Sequence, residues 1–177
     1  VEIWRRLGIC GDAPDDTRCC SPAFVIARSK GSIGEGGEKR VPARLVIDFQ
    51  ELNKYEIRRP FCNPASTTEL LNFMSYNASK LGCFSTIDLQ RAFLQIELSK
   101  DSLPYVAFSF GLGDIQTIKR VPFGLSSAPQ ALQRALKLTL GHLEQECVII
   151  FADDILIYSP DVETHFKHLE KVMTALK

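Results

Sequence analysis

The chain has 177 residues, 45% of them hydrophobic, which is enough for one domain with a real core. Its 21 Lys+Arg balance 21 Asp+Glu, which excludes a generally basic nucleic-acid binder; residues 1–60 carry 11 basic and 9 acidic groups (+2), and residues 61–177 carry 10 and 12 (−2). No apolar stretch approaches the ~20 residues of a membrane span and no secretory signal is read, so neither a membrane protein nor a secreted one is expected.

The six cysteines are Cys10, Cys19, Cys20, Cys62, Cys83 and Cys147. None forms a Cys-x-x-Cys or a zinc spacing, so free thiols in a reducing, cytoplasmic setting are expected. The chain begins at Val1 rather than Met and reads as cut from something longer.

In chain order, Val1 to Leu7 reads as the end of a helix stopped by Gly8, and Cys10 to Cys20 as loop. Ala23 to Ala27 and Leu45 to Phe49 read as two strands of a hairpin with a Gly-rich tip over 30–39, surrounded by Lys30, Lys39, Arg40 and Arg44. Such a tip is either a solvated turn or an arm that meets phosphates. Asn53 to Pro64 reads as a connection. A helix capped by Thr67 or Thr68 follows to about Ser75, with Leu70, Leu71, Phe73 and Met74 as its apolar side.

Cys83 to Leu89 reads as a strand with an acid, Asp88, near its C-terminal end. Ala92 to Leu98 mixes helix and strand signals. Tyr105 to Phe110 and Ile115 to Val121 read as a second hairpin around 111–114. Ser127 is a candidate cap for a helix over 130–140, with Pro129 in its first turn. Ser159 and Pro160 are expected to start a last helix, whose apolar side is Phe166, Leu169, Val172, Met173 and Leu176. His165 and His168 on it are expected to be surface or packing residues.

Between those last two helices lies Cys147 to Tyr158, two short β-branched apolar runs flanking Asp153 and Asp154 where a hairpin must turn. The plain reading is an exposed turn. The sharper one is that the acids hold a divalent metal, because like charges among apolar residues need a cation to compensate them. If the strands bearing Asp88 and Asp153–Asp154 are neighbours, three carboxylates converge at one rim. That arrangement suits two Mg²⁺ ions about 3.5–4 Å apart, with hard oxygen ligands shared with phosphates and water.

Five stretches then carry a family resemblance: Ser21-Pro22-Ala23-Phe24-Val25; Arg44 to Lys54; Phe84-Ser85-Thr86-Ile87-Asp88-Leu89; Val121 to Pro129; and Phe151 to Ser159. In this order and spacing, the chain resembles the fingers and palm of a reverse transcriptase, most closely of gypsy-type LTR retrotransposons. The resemblance implies an α+β right-hand polymerase fold: a palm with an antiparallel sheet and packed helices (about 81–99 and 126–177), and β-rich fingers (about 1–80 and part of 100–125). It implies RNA-directed DNA polymerisation within a Pol polyprotein, in the cytoplasm inside virus-like particles. The implied partners are primed RNA or DNA template, dNTPs, and the thumb, RNase H and integrase domains, with no membrane.

The resemblance also implies roles. Asp88, Asp153 and Asp154 would be catalytic and, with the Leu89 carbonyl, would hold two Mg²⁺ or Mn²⁺ ions. Arg44 and Lys39 (or Arg40) would reach the triphosphate. Phe93 would lie under the incoming sugar and exclude a 2′-OH, and the plain reading of that residue as a core aromatic is compatible with this role. Phe123 and Gly124 would line the nucleotide pocket, Gln133 would approach the template and Phe151 the primer.

Departures exist: Phe151 stands where Tyr is usual, Ala152 is smaller than the usual residue, and Gln50 replaces a common Arg. The alternatives are a retroviral or LINE-like enzyme, a decayed or co-opted copy that binds nucleic acid without catalysis, and an unrelated Mg²⁺ phosphohydrolase. Loss of a triad acid would mark the decayed copy, and all three acids are present. The phosphohydrolase would need neither the Pro-Phe-Gly-Leu stretch nor an aromatic beside Asp88.

Overall fold

A computed structural model describes residues 2–27, 32–33, 39–40, 43–57, 67–77, 81–111 and 113–177. Pro60, Cys62, Pro64 and most of the Gly-rich tip lie outside the described residues, as do the side chains of Lys39, Arg40, Thr67, Leu70, Leu71 and Met74. The chain divides into two compact units, residues 1–58 with 93–128, and residues 59–92 with 129–177. Helix and sheet are mixed in it, as expected.

The first unit is built on a five-stranded sheet. β1 (Cys10–Asp12), β2 (Cys20–Ala27), β5 (Ala43–Ile47), β7 (Ala107–Ser109) and β8 (Ile115–Ile118) take the order β1-β8-β7-β2-β5. β2 pairs antiparallel with β5, as the hairpin reading requires, and parallel with β7. Between β2 and β5, β3 (Ser32–Ile33) pairs with β4 (Lys39–Arg40). The core is Ile9, Cys10, Ile47, Phe49, Leu94, Val106, Phe108 and Ile118.

Short helices edge this sheet: α1 (Glu2–Arg6), α2 (Gln50–Tyr55) and two 3-10 turns, Ala92–Gln95 and Lys100–Tyr105. Three of these elements differ from the sequence reading. β1 lies in the expected loop, because residues 10–12 find partners on β8 at 116–118. α2 replaces the start of the expected connection, with Asp48 Oδ1 accepting from the Gln50 N–H at 2.9 Å. Tyr105 ends a 3-10 turn instead of starting a strand.

The second unit holds an antiparallel sheet in the order β6 (Cys83–Asp88), β10 (Asp154–Ser159), β9 (Val148–Phe151). α3 (Thr67–Tyr76), α4 (Ala128–Leu140), and α5 (Val162–Ala175) are its helices. Ile155, Ile157 and Ser159 alternate along β10 and are wholly buried on one face. Tyr158 points to the other face, where Phe73 of α3 meets its ring edge-on at 5.5 Å. The described cysteines, Cys10, Cys19, Cys20, Cys83 and Cys147, are all free thiols. Burial pushes the Cys147 thiol up to about 11.

α5 differs from expectation twice. Its N-cap is Asp161, whose carboxylate accepts from the Thr164 N–H at 2.8 Å, so Ser159 remains in β10. Its buried residues are His165, His168 and Val172, while Phe166 and Met173 are exposed. The helix is turned toward hydroxyl partners on the sheet rather than by its apolar spacing.

Candidate active site

The acids are placed by strand register. Asp154 is the first residue of β10 and pairs directly with Asp88, the last of β6. Directly opposed residues share a face, with Cβ atoms about 5 Å apart. Phe151, the last residue of β9, pairs with Asp154 from the other side. The row across the sheet end is therefore Phe151, Asp154, Asp88.

Only Ala152 and Asp153 lie between the paired residues Phe151 and Asp154, a two-residue loop. The sequence reading put both acids at the turn; the register moves Asp154 into the strand and Ala152 into the loop. Ala152 has φ +55° and Asp153 keeps a negative φ, the sign pattern of a type II′ hairpin turn. The strain falls on alanine and spares the acid.

Asp88, Asp153 and Asp154 are all exposed. Among the described residues no Lys or Arg forms an ion pair with them, and no three His, Cys, Asp or Glu side chains make a ready cage for an ion. The donors are nonetheless hard, anionic and uncompensated. Mg²⁺ is commonly held by one or two protein carboxylates, with substrate phosphates and water completing its shell. The residues present fit that mode. Leu89 follows Asp88 directly, beyond the end of β6.

In the first unit, three of the expected nucleotide residues form one stack. The Phe93 ring meets the Phe123 ring edge-on at 5.2 Å, and the Arg44 guanidinium lies over Phe123 at 5.4 Å. Phe123 is 43% exposed, so much of the stack is open to a ligand. Gly124 has φ +98°, a conformation that favours glycine. Gln133 lies half-buried on α4 in the second unit.

The loop bearing Phe123 is clamped by residues that the sequence reading did not single out. Asn53 on α2 donates to the Gly124 carbonyl at 2.8 Å and accepts from the Ser126 N–H at 2.9 Å. Glu56 accepts from the Ser127 N–H and from its hydroxyl. Ser127 therefore spends its hydroxyl on Glu56. An Asn and a Glu three residues apart at a helix end were the available signal.

Comparison with known proteins follows the same lines. The family model described as reverse transcriptase (RNA-dependent DNA polymerase) matches residues 35–177. The Retrovirus-related Pol polyprotein from transposon 297 of Drosophila melanogaster is 31% identical over 88% of the chain. That from transposon gypsy of the same organism is also 31% identical over 88%. The chain spans 14% of the length of either relative. Among solved structures, the native Prototype Foamy Virus Protease-Reverse Transcriptase aligns over 99% of this chain and 21% of its own, with TM-score 0.71 at 21% identity. The foamy viral protease-reverse transcriptase dRH in complex with ds DNA aligns over 99% of this chain and 27% of its own, with TM-score 0.69 and 21% identity.

Proposed function

This chain belongs to the reverse transcriptase family, and we propose that it serves RNA-directed DNA polymerisation in a retrotransposon Pol polyprotein. The observation that carries the reading is the pairing of Asp88 with Asp154, with Asp153 in the adjoining turn. In the proposed reaction the primer 3′-oxygen bonds to the α-phosphorus of a dNTP and pyrophosphate leaves.

Asp88, Asp153 and Asp154, with the Leu89 carbonyl, would hold the metal. Bound Mg²⁺ would lower the pKa of the primer hydroxyl and neutralise charge on the leaving pyrophosphate. The chain's own residues do the positioning. Arg44 offers a fixed charge to a triphosphate, and the Phe123 ring beneath it holds that charge in place. Lys39 is a second cation for the same phosphates. Phe93, braced by Phe123, presents a flat wall to the sugar and excludes a 2′-OH. Phe151, beside Asp154, offers an exposed ring to the primer end, and Gln133 serves the template side.

On this reading residues of about 1–80 and part of 100–125 act as fingers, and those of about 81–99 and 126–177 as palm. The partners are primed template, dNTPs and the remaining Pol domains, in virus-like particles. Among the described residues no helix is long and apolar enough to cross a membrane.

Primer extension on an RNA template with Mg²⁺ tests the reading, using the chain within its parent polyprotein beside an Asp153→Asn control. dNTP incorporation abolished by that change supports it. A Phe93→Ala variant should then admit ribonucleotides. A folded, template-binding parent that extends no primer would overturn the reading in favour of a co-opted nucleic-acid binder.

A further inference from the structure

Behind the acid-bearing strands, the second unit buries a row of polar side chains that the proposed chemistry leaves unused. His165 and His168, 8% and 9% exposed, face the sheet from α5. His165 Nε2 lies 2.8 Å from Ser85 Oγ on β6, and its Nδ1 lies 2.9 Å from Ser159 Oγ on β10. The same Ser159 Oγ is 2.7 Å from His168 Nδ1, and His168 Nε2 is 3.5 Å from Glu146 Oε1. Lys171 donates to Glu146, and that bond, with the Lys171 charge, holds the carboxyl below its ordinary range.

Proton counting gives the row a direction. Two groups that only accept face His168, the Glu146 carboxylate 3.5 Å from Nε2 and the Tyr158 carbonyl 3.3 Å from Nδ1. The charged one is the stronger acceptor and takes the neutral ring's single N–H, at Nε2. Neutral His168 then has a bare Nδ1, and Ser159 gives its single hydroxyl proton there. The Ser159 oxygen is left to accept, so His165 carries its proton on Nδ1. His165 Nε2 is bare and accepts from Ser85. A second proton on His168 reverses every step. Its Nδ1–H now donates to Ser159 Oγ and toward the Tyr158 carbonyl, 3.3 Å away. Ser159 turns its hydroxyl to His165 Nδ1, and His165, with its proton on Nε2, donates to Ser85. The row gains one proton in total, at His168.

We propose that this row is a proton-linked brace. It ties β6 to β10 through α5, and one proton taken up at His168 reverses its hydrogen bonds, so the strands bearing Asp88 and Asp154 respond to pH from the covered face of their sheet. The proposal stands on this unit's geometry and does not depend on what the carboxylates bind. His168 and Ser159 line a cavity of about 510 Å³ with His142, Gln145, Glu146 and Thr164, room enough for water to carry the proton. The titratable groups around His168 are Glu146 and Cys147 before β9, His142 after α4, Tyr158 on β10, and His165 and Lys171 on α5.

The chain has three histidines, so imidazole ¹⁵N spectra of the whole ¹⁵N-labelled chain resolve every ring. The titration runs from about pH 8 to about pH 5, with His142→Gln for assignment. The expected start is His168 protonated on Nε2 and His165 on Nδ1. As His168 becomes doubly protonated, His165 switches to Nε2–H at the same midpoint, and amide exchange of Ile87 and Ile155 changes with it. In Glu146→Gln the His168 transition moves, and the His165 switch moves with it. A His165 that starts on Nε2, or keeps its tautomer through the His168 transition, overturns the relay. Amide exchange blind to that transition overturns the brace.

Discussion

Asp88 and Asp154 are direct cross-strand partners at the open end of β6 and β10, with their carboxylates on one face. Like charges so placed destabilise a sheet by a few tenths of a kcal/mol up to about 1 kcal/mol. Asp88→Asn should therefore raise the thermal midpoint in EDTA by about 1–3 °C. The same change should shrink the stabilisation gained on adding Mg²⁺, since a ligand stabilises only through the site it binds. Thermal melts of both proteins with and without Mg²⁺ check this. A variant that melts lower in EDTA would mean that Asp88 has a stabilising protein partner.

The turn between the acids carries strain of its own. Ala152 sits at φ +55°, where an L side chain costs roughly 1 kcal/mol. Ala152→Gly removes that strain and loosens the unfolded chain, so its net effect on stability should be small, within about 1 kcal/mol and in the stabilising direction. Its effect on primer extension should be the larger one, because glycine frees Asp153 from a fixed turn. Denaturant melts beside single-turnover rates separate the two effects.

Asn53 is the hinge pin of the Phe123 loop, with one side chain satisfying both the Gly124 carbonyl and the Ser126 N–H. Asn53→Ala should cost about 1–3 kcal/mol, since two backbone groups lose their partner. The kinetic signature expected is a KM for dNTP raised severalfold, with kcat changed less, because the loop orients the Phe123–Arg44 stack and carries no acid. Steady-state kinetics at saturating primer-template read this. Equal losses in kcat and kcat/KM would assign the loop to the chemical step instead.

Much of the site was legible because it is local. The β9–β10 hairpin is two short β-branched runs around a turn, whereas the pairing of β6 with β10 joins residues more than sixty positions apart and stood in the sequence only as a condition. The face of α5 was not legible, because its apolar spacing picked out Phe166 and Met173, which are 68% and 52% exposed. Two inward serines, Ser85 and Ser159, give His165 and His168 hydroxyl partners, and satisfied polar groups bury readily. β1 was hidden for another reason: three residues pair with a strand more than a hundred residues away, and no local pattern encodes that.

The start of α5 gives a pH test. The Thr164 N–H and hydroxyl both donate to Asp161, and these bonds lower its carboxyl from the ordinary 3.8. A depressed carboxyl contributes stability that is fully present above its unfolded value and is lost as pH falls through the folded one. Asp161→Ala should therefore lower the melting temperature at neutral pH, and the gap from the parent chain should close once both are well below 3.8. Paired melts across that range check the sign. A gap that persists in acid would mean that the loss comes from packing rather than from the charged cap.

The junction of β6 with the segment after β10 is a close backbone approach in the second unit. The Gly82 N–H donates to the Ser159 carbonyl at 2.8 Å. A Cβ on Gly82 would stand only 1.9 Å from the Pro160 carbonyl oxygen, which is backbone and cannot swing away. Gly82→Ala must push the two chains apart at the far end of the ladder that pairs Asp88 with Asp154. A loss of about 2–4 kcal/mol is expected, a drop of roughly 5–10 °C in the thermal midpoint. Gly141→Ala is the control, because a Cβ there meets nothing within 4 Å. If the two variants melt alike, the approach at Gly82 relaxes at no cost, and the register of β6 against β10 rests on side-chain packing instead.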